Sequence, residues 1–181
     1  MKVCGLRFNI YLALALALLC GCQTGNKKNE RVCGLRVHLE TQSDDTGMSQ
    51  TVTLLRADPV LVSIGKEPIL TEANIIAARV IDSPGGFSVE IKFDESGTWS
   101  LEQFTAGNPG KHLVIFGQWG KTVADGRWLA APLITRRIPD GVLAFTPDAS
   151  RAEADQLVLG LNPKAKKHKK TSADPDDFFS R

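Results

Sequence analysis

The chain has 181 residues, a formal charge of +2 and 43% hydrophobic residues, which suits one globular domain with a substantial core. Residues 32–163 carry 11 Lys/Arg against 16 Asp/Glu, so the basic charge sits at the two ends. An acidic body excludes the clustered basic face of a nucleic-acid-binding fold.

Met1-Lys2 and Arg7 give a positive start, and Ile10 to Leu19 is an apolar run without a charge. That layout predicts a secretory signal peptide over residues 1–21. The run is too short for a membrane span, which needs about 20 apolar residues. Leu19-Cys20-Gly21-Cys22 resembles a bacterial lipobox. It predicts cleavage before Cys22 and acylation of its thiol. The mature chain is then lipid-anchored in the bacterial cell envelope and faces the periplasm.

Residues 22–31 are polar, with Gly25, Asn26, Lys27 and Lys28, and read as a tether. With Cys4 and Cys20 removed and Cys22 modified, no intramolecular disulfide is available to Cys33. It lies in an alternating stretch whose apolar face is Leu35, Val37 and Leu39, so a strand over 33–41 with a buried, inert thiol is expected. Strands follow at Thr51–Arg56 and Val60–Ile64, split by Asp58-Pro59. Thr71-Glu72-Ala73-Asn74 reads as a helical turn. Ala77–Ile81 and Phe87–Phe93 read as a hairpin around Ser83-Pro84-Gly85-Gly86.

Asp94 is a good helix N-cap, with Glu95 favourable in the first turn. Gly97, Leu101 and Phe104 form the expected inner stripe, and Gly107-Asn108-Pro109-Gly110 ends the helix. Strands are predicted at 113–116, at 128–134 with Pro132 marking an edge or bulge, and at 142–146. Ser150-x-x-Glu153 has the pattern of a capping box, and Ala154, Leu157, Val158 and Leu161 share one helical face. The expected core is Val89, Ile91, Leu101, Phe104, Leu113, Ile115, Leu157 and Leu161. After Pro163 the composition is Lys-rich, then Asp/Ser-rich, and reads as a disordered tail.

Strands followed by interspersed helices make an α+β pattern. Several segments also resemble the head of the first periplasmic domain of SecD and SecDF. They are Glu67-Pro68-Ile69-Leu70-Thr71-Glu72-Ala73-Asn74-Ile75, Ala77-Ala78-Arg79-Val80, and Val89 through Gly97. Asn108-x-Gly110-Lys111-x-Leu113-Val114-Ile115 is similar to that family's turn and strand after the first helix. Ala131-Pro132-Leu133-Ile134 with Arg137-Ile138-Pro139-Asp140-Gly141, and Glu153 to Asn162, continue the likeness. It covers about Glu67–Asn162. It implies a ferredoxin-like fold, a mostly antiparallel sheet with two helices on one face; the N-terminal β region over 32–66 has no clear counterpart in the family. It also implies a polypeptide-binding surface near the secretion machinery. The family's membrane bundles have no counterpart here, so a translocation motor is not implied.

Catalytic chemistry is not expected. His38, His112 and His168 are isolated, read as surface or tail histidines, and make no metal site. Gly120-Lys121-Thr122 lacks the earlier glycine of a phosphate-binding loop, and no nucleophile elbow surrounds Ser88 or Ser96. Asp94 and Glu95 are explained by capping. No cofactor and no small-molecule ligand are inferred. Two features remain for binding. The hairpin over 118–127, with a tip at Asp125-Gly126, brings together Trp119, Lys121, Asp125, Arg127 and Trp128. Packing of the indoles on the sheet is the competing expectation. The tail lysines Lys164, Lys166, Lys167, Lys169 and Lys170 offer contact with anionic lipid or cell wall. That second reading makes the chain a structural envelope lipoprotein.

Overall fold

The computed structural model describes residues 33–43, 47–120 and 126–162, all within one compact unit, Arg31–Arg181. The expected signal, Cys22, the tether, Lys121, Asp125 and the lysine tail lie outside the described residues. Nine strands and two helices are described: β1 (Gly34–Leu39), β2 (Ser49–Leu54), β3 (Val60–Gly65), β4 (Leu70–Thr71), β5 (Ile75–Ser83), β6 (Gly86–Phe93), α1 (Glu95–Gly107), β7 (Leu113–Gln118), β8 (Gly126–Ala130), β9 (Val142–Phe145) and α2 (Arg151–Leu161). A 3-10 turn at Glu72–Asn74 joins β4 to β5.

The fold is α+β, and every strand pairing is antiparallel. The strands divide among three sheets, ordered β4-β1-β7-β8, β2-β3 and β5-β6-β9. The β5–β6 hairpin turns at the expected Ser83-Pro84-Gly85-Gly86, with Val80 opposite Val89 and Ser83 opposite Gly86. Alternation then sends Val89, Ile91 and Phe93 inward, where all three are buried. Both helices lie against β6, and α2 also covers β5 and β1.

The helix starts follow the capping chemistry. Asp94 accepts from Gly97 N–H at 2.7 Å, and Ser150 and Glu153 form a reciprocal capping box. The α1 stripe differs from expectation at one position. Gly97, Leu101 and Thr105 are its buried residues, and Phe104 is only half-buried. Thr105 can be buried because its hydroxyl donates to Leu101 O at 2.7 Å and accepts from Ile138 N–H at 3.0 Å. That second bond ties the 131–141 crossing segment to α1.

Cys33 is half-buried rather than buried. It packs at the base of β1 against α2, where an added Cβ on Gly160 would fall 1.9 Å from Cys33 Sγ. A glycine is needed there for strand and helix to approach. His38 is a second correction, since it is 5% exposed. Its Nδ1 lies 2.8 Å from Gly65 O, and its ring meets Trp128 edge-on at 5.4 Å. The β2–β3 ribbon covers the outer face of β1, and burial holds the His38 pKa below its ordinary value.

Candidate functional site

The feature that stands out is an open trough along β9. Among the described residues this strand pairs with β6 on one side only. Phe93 N–H donates to Gly141 O at 2.9 Å, which sets the alternation of the β6–β9 ladder. Leu143 and Phe145 therefore face β6 with their backbone, and Val142 and Ala144 face outward. Val142 N–H is satisfied by Asp140 Oδ1 at 3.2 Å. The backbone of Ala144 is directed into the trough.

Two hollows meet at Pro132 and Ala144 to form it. One, of about 640 Å³, is lined mainly by Leu54, Leu55, Val60, Val62, Ala130, Ala131 and Phe145. The other, of about 460 Å³, is lined by Leu133, Ile134, Arg136, Arg137, Ile138 and Asp140 together with Val142 and Leu143. The apolar end is thus next to Phe145, and the cationic end is next to Val142. Volumes of this size suit an extended chain segment or a small ligand.

The β2–β3 ribbon forms the lip of the apolar end. Leu55 sits in its turn at φ 61°, a left-handed conformation that costs a non-glycine residue about 1–3 kcal/mol. Arg56 in the same turn reaches across to Asp148. Its Nη2 lies 3.2 Å from Asp148 Oδ1, and its N–H donates to Asp148 Oδ2 at 2.9 Å. Arg56 holds the Asp148 carboxyl below its ordinary pKa. Arg56 is exposed and water screens the pair, so its role is to position the ribbon.

The 118–127 hairpin was the expected contact site, and its described residues are arranged for packing. Gln118 pairs with Gly126, so Gly126 belongs to β8 rather than to the tip. Trp119 is 7% exposed and lies in the main core. It does not present the indole area expected of an anchor. Arg127 stacks on it, with Cζ 4.7 Å from the ring centroid. Arg127 also donates to Asp148 O at 3.2 Å and to Glu153 Oε2 at 2.8 Å. Glu153 accepts further bonds from Ser150, and its pKa is lowered to about 2, first by the Arg127 hydrogen bond. Trp128 is half-buried against the ribbon side, edge-on to Phe116 at 5.2 Å. These side chains lock β8 to the start of α2.

His112 Nδ1 lies 2.7 Å from Glu40 Oε2, within hydrogen-bond distance. Among the described residues no group of three or more His, Cys, Asp or Glu side chains is placed to hold a metal, and no helix is long and apolar enough to cross a membrane. The sequence pattern did not single out the trough. The only hint was that Ala131-Pro132 and Pro139-Asp140-Gly141 flank two strands without a shared helix.

An α+β module with three antiparallel sheets and an open trough along β9 is the class that fold and site define. The family model described as "SecDF, P1 head subdomain" matches residues 48–165, and the chain belongs to that family. No curated protein matches it. Among solved structures it is similar to one described as "Structure and function of a membrane component SecDF that enhances protein export", at 22% identity and a TM-score of 0.50. That match covers 73% of this chain and 63% of the other, so the chain spans less than two thirds of that relative. A second, "Crystal structure of SecDF in Super-membrane-facing form", gives 23% identity and a TM-score of 0.50, covering 71% of this chain and 18% of that one. At these identities the likeness concerns the fold.

Proposed function

We propose that this chain is a non-catalytic, lipid-anchored module of the bacterial periplasm that binds extended polypeptide, as a SecD-like head without a membrane motor. The observation that carries the binding half is the trough along the free edge of β9. An extended segment added there meets the outward backbone of Ala144, and its alternate side chains meet the apolar wall formed by Val62 and Ala130. Main-chain pairing of this kind supplies affinity with little dependence on sequence. The family relationship supports the same reading, because the similar SecDF structure is described as a component that enhances protein export. The anchoring half is supported by the lipobox-like Leu19-Cys20-Gly21-Cys22.

Substituting Ala144 tests the binding half. Ala144→Pro removes the outward N–H, a change tolerated on an edge strand. Ala144→Lys keeps the N–H and places a charge at the junction of the two hollows. With a permanently unfolded probe such as reduced, carboxymethylated lactalbumin, both variants should bind more weakly by about tenfold, or about 1.4 kcal/mol. Unchanged affinity in both, with melting temperatures preserved, would remove the trough as the binding site.

A further inference from the structure

We infer that the chain carries its own occupant for the β9 trough: the tail segment Asp174–Phe179, which competes there with polypeptide. The inference rests on the polypeptide-binding reading of that site. Residues 163–181 are otherwise charged, polar or small residues with two prolines, and Phe178-Phe179 are their only large apolar side chains. Adjacent side chains of an extended segment point to opposite faces, so in either register one of the two phenylalanines can meet an apolar wall and leave water. The trough offers one, and its charge polarity matches the order of the tail. Asp174, Asp176 and Asp177 precede the phenylalanines. Along β9, the end lined by Arg136 and Arg137 precedes the end lined by Phe145 and Val62. Arg137 is already paired with Glu102, and Asp140 also lines that end, which leaves Arg136 as the main cation for the aspartates.

The geometry permits the contact within one molecule. Asn162 ends α2 and is held on β5 by two bonds, Ala78 N–H to its Oδ1 at 2.7 Å and its Nδ2 to Ala78 O at 2.9 Å. Strand β9 lies two strands away in the same sheet, roughly 10 Å across at ordinary strand spacing. Residues 163–173 span up to roughly 36 Å when extended. The tail therefore reaches the trough with α2 intact. Matching the charge order makes it run parallel to β9.

The experiment compares the full chain with its Phe178→Ala/Phe179→Ala variant. Hydrogen exchange at the Ala144 amide should quicken by about tenfold in the variant, because an edge amide is protected only when covered. Affinity for unfolded carboxymethylated lactalbumin should rise by about fivefold, a change in RT ln Kd of about 1 kcal/mol. A synthetic peptide of residues 171–181 should restore the protection, and Arg136→Glu should weaken that rescue. Equal exchange at Ala144 in both proteins overturns the inference. Protection that grows with protein concentration also overturns it, since the tail then acts between copies. If lactalbumin binds both proteins equally and Ala144→Pro still weakens it, the tail inference fails and the polypeptide reading stands. If lactalbumin binds neither protein, both fail.

Discussion

Glu153 joins Arg127 of β8 to the Ser150 cap of α2, and Glu153→Gln gives a sharp test of how β8 is held to α2. Its carboxylate accepts from Arg127 and from both the N–H and the hydroxyl of Ser150. The pKa falls from 4.5 to about 2. At 1.36 kcal/mol per pH unit, that shift sets a ceiling of about 3 kcal/mol. The side chain is 29% exposed, and solvent screening lowers the expected value to roughly 2 kcal/mol. The folded pKa is depressed, so this stabilisation is complete above pH 4.5 and is lost as pH falls through about 2. Glutamine keeps an acceptor for the capping box and removes the charge. Urea melts of both proteins from pH 7 to pH 2.5 should show a gap of roughly 2 kcal/mol at neutral pH that narrows steadily below pH 4.5. The other carboxylates titrate in both proteins and cancel in the difference. A gap that stays constant with pH, or one below 0.5 kcal/mol at pH 7, would refute the electrostatic role of the Arg127–Glu153 pair.

Packing makes further claims. Trp119→Ala should cost about 3–5 kcal/mol in denaturant melts, whereas the half-buried Phe104 should cost only about 1–2 kcal/mol on the same change. Gly160→Ala should destabilise by about 1–3 kcal/mol despite the better helix propensity of alanine, because the new Cβ meets Cys33 Sγ. Cys33→Ala should recover part of that loss in the double variant. It should not recover all of it, because Cys33 Cβ itself lies 2.5 Å from the added atom. Cys22→Ser should release the protein from membranes or leave an uncleaved precursor, read by fractionation and intact mass, and an unmodified N-terminus at Cys22 in the wild type would contradict lipidation.

What could be read from the sequence follows the range of the interactions involved. The β5–β6 hairpin, the Asp94 cap and the Ser150–Glu153 box depend on neighbours a few residues away, and each lies where its local chemistry placed it. His38 depends on distant chain. Its face of β1 looked solvated by alternation, yet the β2–β3 ribbon folds over it and Gly65 O meets the ring. Thr105 displaced Phe104 from the buried stripe because of a bond to Ile138, thirty-three residues on. Trp119 and Trp128 bracket a hairpin, which left exposure and packing on the sheet both open; Trp119 is buried under the Arg127 stack and Trp128 is half-buried. The trough exists because β9 ends a sheet, and sheet order is decided by pairings that no local pattern encodes.

The central claim is that extended polypeptide lies along β9. The most direct measurement places a photo-crosslinking benzoylphenylalanine at position 144 in one sample and at the exposed position 103 of α1 in another. Each sample is irradiated with the unfolded lactalbumin probe. The trough reading predicts adducts from position 144 and none above background from position 103. Equal adduct yields from the two positions, or adducts from position 103 alone, would contradict it.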